Sequence, residues 1–391
     1  MPHFSQPTRF DAPSIILTGA GSRKQLASLA KEIGATRVLL VTDKGVVAIG
    51  IADEITSILA QAGCQVHLFD DVQPDPTDQN VAEGYRALEQ HDADLVVTVG
   101  GGSPIDTAKV IAVRQANAGQ LSEYMGLHKI PNPGVPLVAI PTTAGTGSEC
   151  TKVAVITDTE HDVKMMMLSA PLLPRAAIVD YELSLPMPKG LTAAVGVDTL
   201  THGIEAYVSK KRNAMTDPLA LSCIKLVGEH LRTAWSNGGD RKARAGMMLA
   251  ACQGGLAFSN SSVCLVHGMS RPIGAVFHLP HGLSNAILLP TVTAFSWESA
   301  PDRYADVARA LGCASQTASD QDACLALLKY LHELNEFLEL PRLSQCQNVT
   351  RETFDQQVEK MASDAIASGS PANNPRQPSQ SEIVGLYKQA W

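Results

Sequence analysis

Hydrophobic positions in the first half of the chain fall in short runs, and the segments between these runs repeat apolar residues with helical spacing. Strands that alternate with helices in this way predict a parallel sheet covered by helices on both faces. The predicted strands are Val38–Thr42, Gln65–Phe69, Leu95–Val99, Leu137–Ile140 and Ala176–Val179, and the predicted helices among them include Ile51–Ala62 and Thr77–His91.

The pattern changes near Pro186, and beyond it no strand series is evident. The second half predicts helices, several of which begin at a good N-cap residue. Gly369–Ser381 is rich in turn-forming residues and predicts an exposed loop before a last helix. We therefore expect an α/β domain at 1–186 and an all-helical domain at 187–391, with the boundary in Leu185–Lys189. The predicted helices include Thr216–Ala234, Asp240–Phe258, Asp320–Leu338 and Arg351–Ser368.

Length and composition agree with this division and narrow the class of protein. A chain of 391 residues exceeds one ordinary hydrophobic core, and 45% hydrophobic with 18% charged residues is typical of a globular enzyme. The net charge of -8 and the lack of a basic run argue against nucleic-acid binding. We also expect no membrane association, because no apolar run approaches the roughly 20 residues of a membrane-spanning helix and no signal-peptide pattern is present.

Cysteine usage bears on the compartment and on the type of metal site. The eight cysteines are scattered and include no C-x-x-C pair. This spacing favours neither a disulfide framework nor a zinc–cysteine site. Reduced thiols in the cytoplasm are the simplest interpretation.

A glycine-rich turn follows the predicted strand Leu95–Val99. Gly100, Gly101 and Gly102 lead into a predicted helix with Pro104 in its first turn, where helices tolerate proline. Glycines let backbone amides approach a phosphate closely, and a helix N-terminus adds about half a positive charge. The pattern predicts a pyrophosphate site, although a tight strand-to-helix turn without a ligand would have a similar sequence.

A second loop with similar potential is Pro141–Glu149 (PTTAGTGSE), which also follows an apolar strand and offers hydroxyl groups and flexible glycines. Two such loops at the carboxyl ends of parallel strands are typical of a dinucleotide site. Asp43 ends an earlier strand, where an acidic side chain accepts from a ribose 2′-hydroxyl and repels a 2′-phosphate, which favours NAD over NADP. A helix-capping aspartate is the alternative. The G-x-G in Thr18–Leu26 lacks a third glycine at the right place and predicts only a turn before a helix.

Four residues in the second half form a candidate metal site. Asp198 and His202 are four residues apart in a helical stretch, so they share one helix face. His267 and His281 lie in glycine-flanked apolar segments, and each of the three histidines precedes a glycine that we expect to leave room beside the ligand. One carboxylate with three imidazoles suits Fe²⁺ or Zn²⁺ better than Mg²⁺ or Ca²⁺. Taken singly, each histidine would more often be structural.

At these motifs the chain resembles the iron-containing, or group III, alcohol dehydrogenases, over essentially its full length. The matching segments are VGGGSPIDTAK (Val99–Lys109), IPTTAGTGSE (Ile140–Glu149), the D-x-x-x-H pair, H-G-M-x-x-P-I-G (His267–Gly274) and P-H-G (Pro280–Gly282). The resemblance implies a Rossmann-like N-terminal domain and a helical C-terminal domain, the fold shared with dehydroquinate synthase, with the cofactor between them. It also implies reversible hydride transfer between an alcohol and NAD, assisted by Fe²⁺ or alternatively Zn²⁺.

The resemblance further implies a role for individual residues. Asp75 stands where relatives more often carry asparagine. Implied metal ligands are Asp198, His202, His267 and His281, and implied dinucleotide contacts are Asp43, Asp75, Gly101, Gly102, Ser103, Thr142, Thr143 and Lys164.

Two further positions depart from the family pattern. Arg271 stands where many relatives carry a second histidine, and on a helix it shares a face with His267. We hypothesise that it binds a substrate carboxylate, because a guanidinium matches that group in a bidentate way. The alternative is an arginine paired with a nearby acid or with cofactor phosphate. His278, three residues before His281, is a candidate proton relay, and a polar residue at the rim is its alternative.

The residues leave other activities open. A polyol or glycerol-type dehydrogenase, or a lyase, would share the fold. A non-catalytic NAD-binding or metal-binding protein would turn over no alcohol, and a metallohydrolase would leave both nucleotide loops unexplained. The motif combination favours an NAD-linked dehydrogenase for a small alcohol or aldehyde, with a hydroxy acid such as 4-hydroxybutyrate as a candidate substrate. We expect it to be a cytoplasmic homodimer or larger homo-oligomer.

Overall fold

The computed structural model describes residues 7–161 and 163–391. Contacts divide the chain into two compact units. One unit is Asp11–Pro186, and the other is Met187–Trp391 with the described residues 7–10. The first contains a parallel sheet with helices, and no strand is assigned in the described residues of the second. The predicted fold class, α/β followed by all-helical, is confirmed.

The first unit is built around a six-stranded sheet with the order β1-β9-β6-β4-β2-β3, in which every pair of neighbours is parallel. A smaller sheet has the order β5-β8-β7, with β7 and β8 forming an antiparallel hairpin. The strands are β1 (Ile15–Thr18), β2 (Arg37–Val41), β3 (Gln65–Phe69), β4 (Leu95–Gly100), β5 (Gly126–Leu127), β6 (Leu137–Pro141), β7 (Val153–Asp158), β8 (Val163–Leu168) and β9 (Ala176–Val179).

Side chains of the central strands alternate between two hydrophobic clusters, one on each face of the sheet. Leu39 and Val41 of β2 belong to one cluster, whereas Val38 and Leu40 belong to the other. Both faces are therefore buried by helices, as the near-continuous apolar runs predict. The helices of this unit are α1 (Leu26–Ile33), α2 (Lys44–Ala48), α3 (Ile51–Gln61), α4 (Asp78–His91) and α5 (Gly102–Arg114).

All five predicted strands and both predicted helices of this unit are present, with ends that differ by one residue at most. Four strands of this unit were not predicted. These are the edge strand β1, the two-residue β5 and the β7–β8 hairpin. The G-x-G segment forms a turn and a short 3₁₀ helix before α1, in agreement with its interpretation as a turn.

The second unit is a helical array in which α6 packs against α7, α8 and α10. Pro290 lies inside α10 and cannot donate to the carbonyl of Ala286, and Asn335 Nδ2 donates to this oxygen instead, at 2.7 Å. The helices are α6 (Lys189–Val208), α7 (Thr216–Ser236), α8 (Arg241–Asn260), α9 (Leu265–Phe277), α10 (His281–Ser296), α11 (Pro301–Leu311), α12 (Asp320–Phe337), α13 (Arg351–Ala367) and α14 (Gln380–Gln389).

The prediction that Gly369–Ser381 is an exposed loop is wrong for its first part. Ser370, Asn373 and Asn374 are buried, and Asn373 Nδ2 donates to Ser262 Oγ at 2.8 Å. The turn-rich composition indicated irregular backbone correctly, but these polar side chains find partners inside the unit and can therefore be buried. Helix α14 follows, as expected.

Among the described helices, no single one is both long and apolar enough to cross a membrane, and only the sharply bent pair Arg241–Asn260 and Leu265–Phe277 meets that test in combination.

Candidate metal centre and nucleotide-binding loops

Helix α6 presents three polar side chains on one face. Asp198, His202 and Glu205 follow the spacing i, i+4 and i+7, so they lie above one another along the helix. All three are buried, because this half of α6 packs inside the helical unit. Buried polar groups require partners, and here the partners come from the segments that carry the other predicted ligands.

Asp198, His267 and His281 bring potential ligand atoms within 4.8 Å of one another. Asp198 Oδ1 lies 3.7 Å from His267 Nε2 and 4.0 Å from His281 Nε2. In a tetrahedral site with metal–ligand bonds of about 2.1 Å, ligand atoms are about 3.4 Å apart. A small contraction would thus bring these atoms to bonding distance of one ion. Asp198 and His267 are buried, whereas the His281 side chain is 44% exposed.

His202 lies beside this group. Its Nε2 is 3.8 Å from Asp198 Oδ1. Its ring stacks on Phe258, with 4.3 Å between ring centroids, and on His267, with 4.7 Å. The structure therefore brings the other three predicted ligands together around the Asp198 carboxylate.

The protonation states of the site suit a cation. Burial lowers the pKa of His267 well below its usual value, and desolvation also lowers that of His281, which outweighs the opposing effect of Asp198. Both imidazoles are neutral at pH 7 and have a lone pair to offer. Burial raises the pKa of Asp198, and His281 and the hydrogen bond from Asn285 oppose this rise only in part, so the carboxylate needs more compensating positive charge. A divalent ion would supply that charge, and this donor set of oxygen and nitrogen fits Fe²⁺ or Zn²⁺.

Glu205 fixes the orientation of His267. Its carboxylate accepts from His267 Nδ1 at 2.6 Å and from the backbone amides of Cys264 at 2.8 Å and Val266 at 2.6 Å. It therefore also provides hydrogen-bond acceptors for N–H groups at the start of α9, which have no partner within the helix. With Nδ1 as the donor, Nε2 carries the lone pair that faces Asp198. Burial raises the pKa of Glu205 to about 7, which the N–H donors oppose only in part.

Glu205 was not predicted from the sequence, and neither was Asn285, whose Nδ2 donates to Asp198 Oδ1 at 2.7 Å. A signal existed for each of them. Glu205 is seven residues after Asp198 and shares its helix face, and Asn285 is four residues after His281 on α10.

The glycines after the histidines do not leave empty space beside the ligands. A Cβ atom at Gly268 would lie 2.8 Å from the ring of Pro371, and one at Gly282 would lie 2.7 Å from the carbonyl oxygen of Ala194. Neighbouring segments fill these positions. The glycines therefore let α6 and the segment after α13 pack closely against the helices that carry His267 and His281.

Arg271 lies one turn after His267 on α9. Its Nη1 donates to Ser370 Oγ at 2.9 Å, and burial lowers the pKa of its guanidinium. The structure records no ion pair between Arg271 and a carboxylate in the described part of the chain. The Arg271 charge is close enough to lower the pKa values of His267 and His281. His278 ends α9 with a left-handed backbone (φ 54°), and its side chain is exposed.

The two nucleotide-binding loops predicted from the sequence meet in the first unit. Strands β4 and β6 are neighbours, and Thr142 N donates to Gly100 O at 2.9 Å. A Cβ atom at Gly102 would lie 2.9 Å from Thr146 Cγ2, so a larger residue would displace the Thr146 side chain. Helix α5 begins at Gly102, with Ser103 next, and no side chain caps its first amides. These amides can bind an anion.

A buried lysine ties the loops together. Lys109 of α5 donates to Ser148 Oγ at 2.7 Å, to Thr151 Oγ1 at 2.9 Å and to Val153 O at 2.7 Å. These acceptors use all three protons of its ammonium group. Burial lowers the pKa of Lys109 to about 8, against the opposing charge of Asp106.

The predicted ribose ligand Asp43 has a second role. One oxygen, Oδ1, accepts from Val46 N at 2.9 Å and caps α2, which is the alternative that the sequence analysis considered. The other oxygen, Oδ2, lies 3.5 Å from the position that a Cβ on Gly100 would occupy. One oxygen therefore faces the glycine loop while the other caps the helix.

Two further predicted cofactor contacts, Lys164 and Asp75, bind each other. Lys164 Nζ donates to Asp75 Oδ1 at 2.7 Å. Asp75 has a left-handed backbone (φ 54°), which asparagine and aspartate tolerate better than most residues. A similar ion pair joins Lys44 to Asp71 at 2.8 Å.

Comparison with family models gives two matches along the chain. Residues 13–181 match the model described as "Iron-containing alcohol dehydrogenase". Residues 192–391 match the C-terminal model of the Fe-containing alcohol dehydrogenase family.

Individual relatives agree with these matches. The chain is 38% identical to the NAD-dependent methanol dehydrogenase of Bacillus methanolicus over 98% of this chain and 100% of that protein. It is 36% identical to the 1,3-propanediol dehydrogenase of Citrobacter freundii over 97% of both proteins. A crystal structure of 1,3-propanediol oxidoreductase superposes with a TM-score of 0.95 at 35% identity, over 99% of this chain and 100% of that one. The chain belongs to the iron-containing alcohol dehydrogenase family.

Proposed function

We propose that the protein is a metal-dependent, NAD-linked dehydrogenase that interconverts a small alcohol and its aldehyde or ketone. The observation that carries this proposal is the convergence of Asp198, His267 and His281, with His202 beside them. Family membership and the names of the dehydrogenases similar to this chain support it.

The four ligand side chains would hold Fe²⁺ or, alternatively, Zn²⁺. When bound, such an ion supplies Lewis acidity toward the substrate oxygen, and NAD supplies the hydride acceptor. Glu205 keeps the lone pair of His267 directed at the site by accepting from its Nδ1. The lowered pKa values of His267 and His281 keep these two imidazoles neutral at pH 7, so no proton has to leave them before the ion binds.

The first amides of α5, with Gly101, Gly102 and Ser103, would bind the dinucleotide phosphates, and Thr142 and Thr143 would line the facing loop. We propose NAD as the preferred cofactor for two reasons. Asp43 Oδ2 faces the glycine loop and would repel a 2′-phosphate. In addition, the lysines of this region, Lys44 and Lys164, are neutralised by Asp71 and Asp75, respectively.

The main test is absorbance at 340 nm with NAD⁺ and a panel of primary alcohols and diols. It would be run on the protein stripped with a chelator and on protein reloaded with Fe²⁺ or Zn²⁺. We expect turnover only after reloading and a higher kcat/KM with NAD⁺ than with NADP⁺. Absence of metal-dependent turnover on every alcohol and aldehyde would contradict the proposal.

We further propose that Arg271 selects substrates with a carboxylate, such as 4-hydroxybutyrate. This guanidinium is largely desolvated, one turn from His267, and its recorded partner is the neutral hydroxyl of Ser370. A buried cation without a paired carboxylate favours an anionic ligand.

Matched substrates test this preference directly, because 4-hydroxybutyrate and 1,4-butanediol differ mainly in charge at one end. We expect Arg271→Ala to lower kcat/KM for the hydroxy acid by about 100-fold and for the diol by only a few fold. Arg351→Ala, which removes a surface arginine of α13, should change neither. Equal relative losses on both substrates would show that Arg271 does not recognise the carboxylate.

His278 stays a proposed proton relay, supported by its exposure and by its position three residues before His281. A relay requires that His278→Ala change the pH dependence of kcat. An unchanged profile would contradict this role.

We also propose a cytoplasmic homo-oligomer. The eight cysteines form no disulfide bonds with one another in the described chain, which is compatible with a reducing compartment. Light scattering after size-exclusion chromatography would measure the assembly, and a monomeric mass would contradict the oligomer.

A further inference from the structure

Asn285 contacts the same three atoms that converge at the candidate metal centre. Its Nδ2 lies 2.7 Å from Asp198 Oδ1, 3.2 Å from His267 Nε2 and 3.1 Å from His281 Nε2. The side chain is fully buried, and its position four residues after His281 directs it to the same face of α10. Helices α6 and α10 therefore each contribute an i, i+4 pair of polar groups to one point.

The hydrogen bonds of this amide do not balance. An NH₂ group has two protons, but three acceptors surround it. The other atom of the amide, Oδ1, is buried and has no hydrogen-bond partner in the described part of the chain. Buried amides are normally satisfied at both ends, so an unpaired oxygen here indicates that the arrangement serves the site and not the stability of the helix pair.

A divalent ion would resolve the excess of acceptors. It would bind the Nε2 lone pairs of His267 and His281, and neither nitrogen could then accept from Asn285. Asp198 Oδ1 has a second lone pair, so it can accept from the amide while it binds an ion. Of the three contacts, the one to Asp198 is the shortest and the only one compatible with a bound ion.

We propose that Asn285 is a positioning residue that holds Asp198 in the orientation needed for metal binding and thereby raises the metal affinity of the site. This inference rests on the proposed metal site. Its role is analogous to that of Glu205 toward His267, with an amide donor in place of a carboxylate acceptor. One ligand would be oriented from each side, Asp198 by Asn285 and His267 by Glu205.

The test compares two Asn→Leu substitutions that affect the same helix. Asn285→Leu removes the donor at nearly constant volume. Asn335→Leu removes the bond from Asn335 Nδ2 to the carbonyl of Ala286, on the residue next to Asn285, and contacts no ligand of the metal. Dissociation constants for Zn²⁺ and Co²⁺ would be measured by competition with a chelator, and melting temperatures in the presence of EDTA would report the fold of the apo-protein.

We expect Asn285→Leu to weaken binding of both ions by 10- to 100-fold, which is about the effect of losing an outer-shell partner. Asn335→Leu should lower the melting temperature of the apo-protein and change metal affinity by less than twofold. At saturating Co²⁺, the visible spectrum of Asn285→Leu should keep the intensity of the wild type, because the ligands are the same. If Asn285→Leu does not fold, Asn285→Ala replaces it under the same criterion.

Two results would overturn the inference. One is wild-type affinity in the folded Asn285 variant. The other is a marked rise in Co²⁺ absorption, which would indicate that one ligand was lost and that the amide itself had been bound to the metal. A wild-type protein that bound neither ion would instead contradict the proposed metal site.

Discussion

The candidate metal centre and the proposed nucleotide-binding loops use different kinds of groups. The metal centre consists of side chains that are buried except for His281, and Glu205 and Asn285 orient two of the buried ones through bonds of 2.6 and 2.7 Å. The loops offer mainly backbone amides and hydroxyl groups at strand ends, and the charged pairs around them, such as Lys164 with Asp75, are partly exposed. A site made of single side chains should lose its function when one is removed, whereas a site made of many backbone contacts should lose it gradually.

The largest expected effect is that of His267→Ala. It removes a predicted ligand, which is also the side chain that donates to Glu205, so the protein should lose most of its bound metal. The loss of the metal should remove several kcal/mol of transition-state stabilisation, so we expect kcat/KM to fall by at least about 1,000-fold. Metal content after dialysis and the 340 nm assay measure both effects. His332→Ala, an exposed histidine on α12, is the control, and equal metal content in both variants would refute the ligand assignment.

A smaller effect is expected for Glu205→Gln. The glutamine amide cannot accept from all the N–H groups that the carboxylate now satisfies, and it has no charge. We expect metal affinity to fall by about 10- to 100-fold and the melting temperature of the apo-protein to drop. Glu229→Gln on the exposed side of α7 should leave both unchanged. Wild-type affinity in Glu205→Gln would mean that His267 is oriented by packing alone.

Lys109→Met tests whether the nucleotide loops also depend on one buried side chain. Without the bonds from Lys109 to Ser148, Thr151 and Val153, the second loop is attached to α5 less firmly, because the bond from Ser148 Oγ to Asp106 remains. We expect KM for NAD⁺ to rise about tenfold, with a smaller change in kcat. Lys31→Met, an exposed lysine on α1, should have little effect. A lower melting temperature with unchanged KM would restrict Lys109 to a role in stability.

Asp75→Asn should have the smallest effect. It releases Lys164 from its exposed ion pair, so this lysine can interact with a 2′-phosphate. The ratio of kcat/KM for NADP⁺ to that for NAD⁺ should rise by at most about fivefold, because exposed pairs contribute up to about 1 kcal/mol. Asp92→Asn is a matched control, since Asp92 also has a positive φ and pairs with Arg37. An unchanged ratio would show that Lys164 does not influence the choice between NAD⁺ and NADP⁺.

Local patterns were enough to predict the central strands and most helices. Strands such as Leu95–Gly100 are buried on both faces and are therefore apolar throughout, which separates them clearly from the amphipathic helices around them. The β7–β8 hairpin has only short alternating runs around a polar turn, and β1 is a half-buried edge strand. Their weaker patterns explain why they were missed.

For the candidate site, the sequence alone pointed to Asp198, His202, His267 and His281, because they occur in recognisable motifs and because the spacing within α6 follows from helix geometry. The sequence also determined the α/β and helical halves, since hydrophobic periodicity reflects which faces are buried. Only the tertiary structure decided which groups lie around those ligands. Glu205 reaches His267 across 62 positions of sequence and Asn285 reaches Asp198 across 87, and no local pattern encodes contacts at that separation.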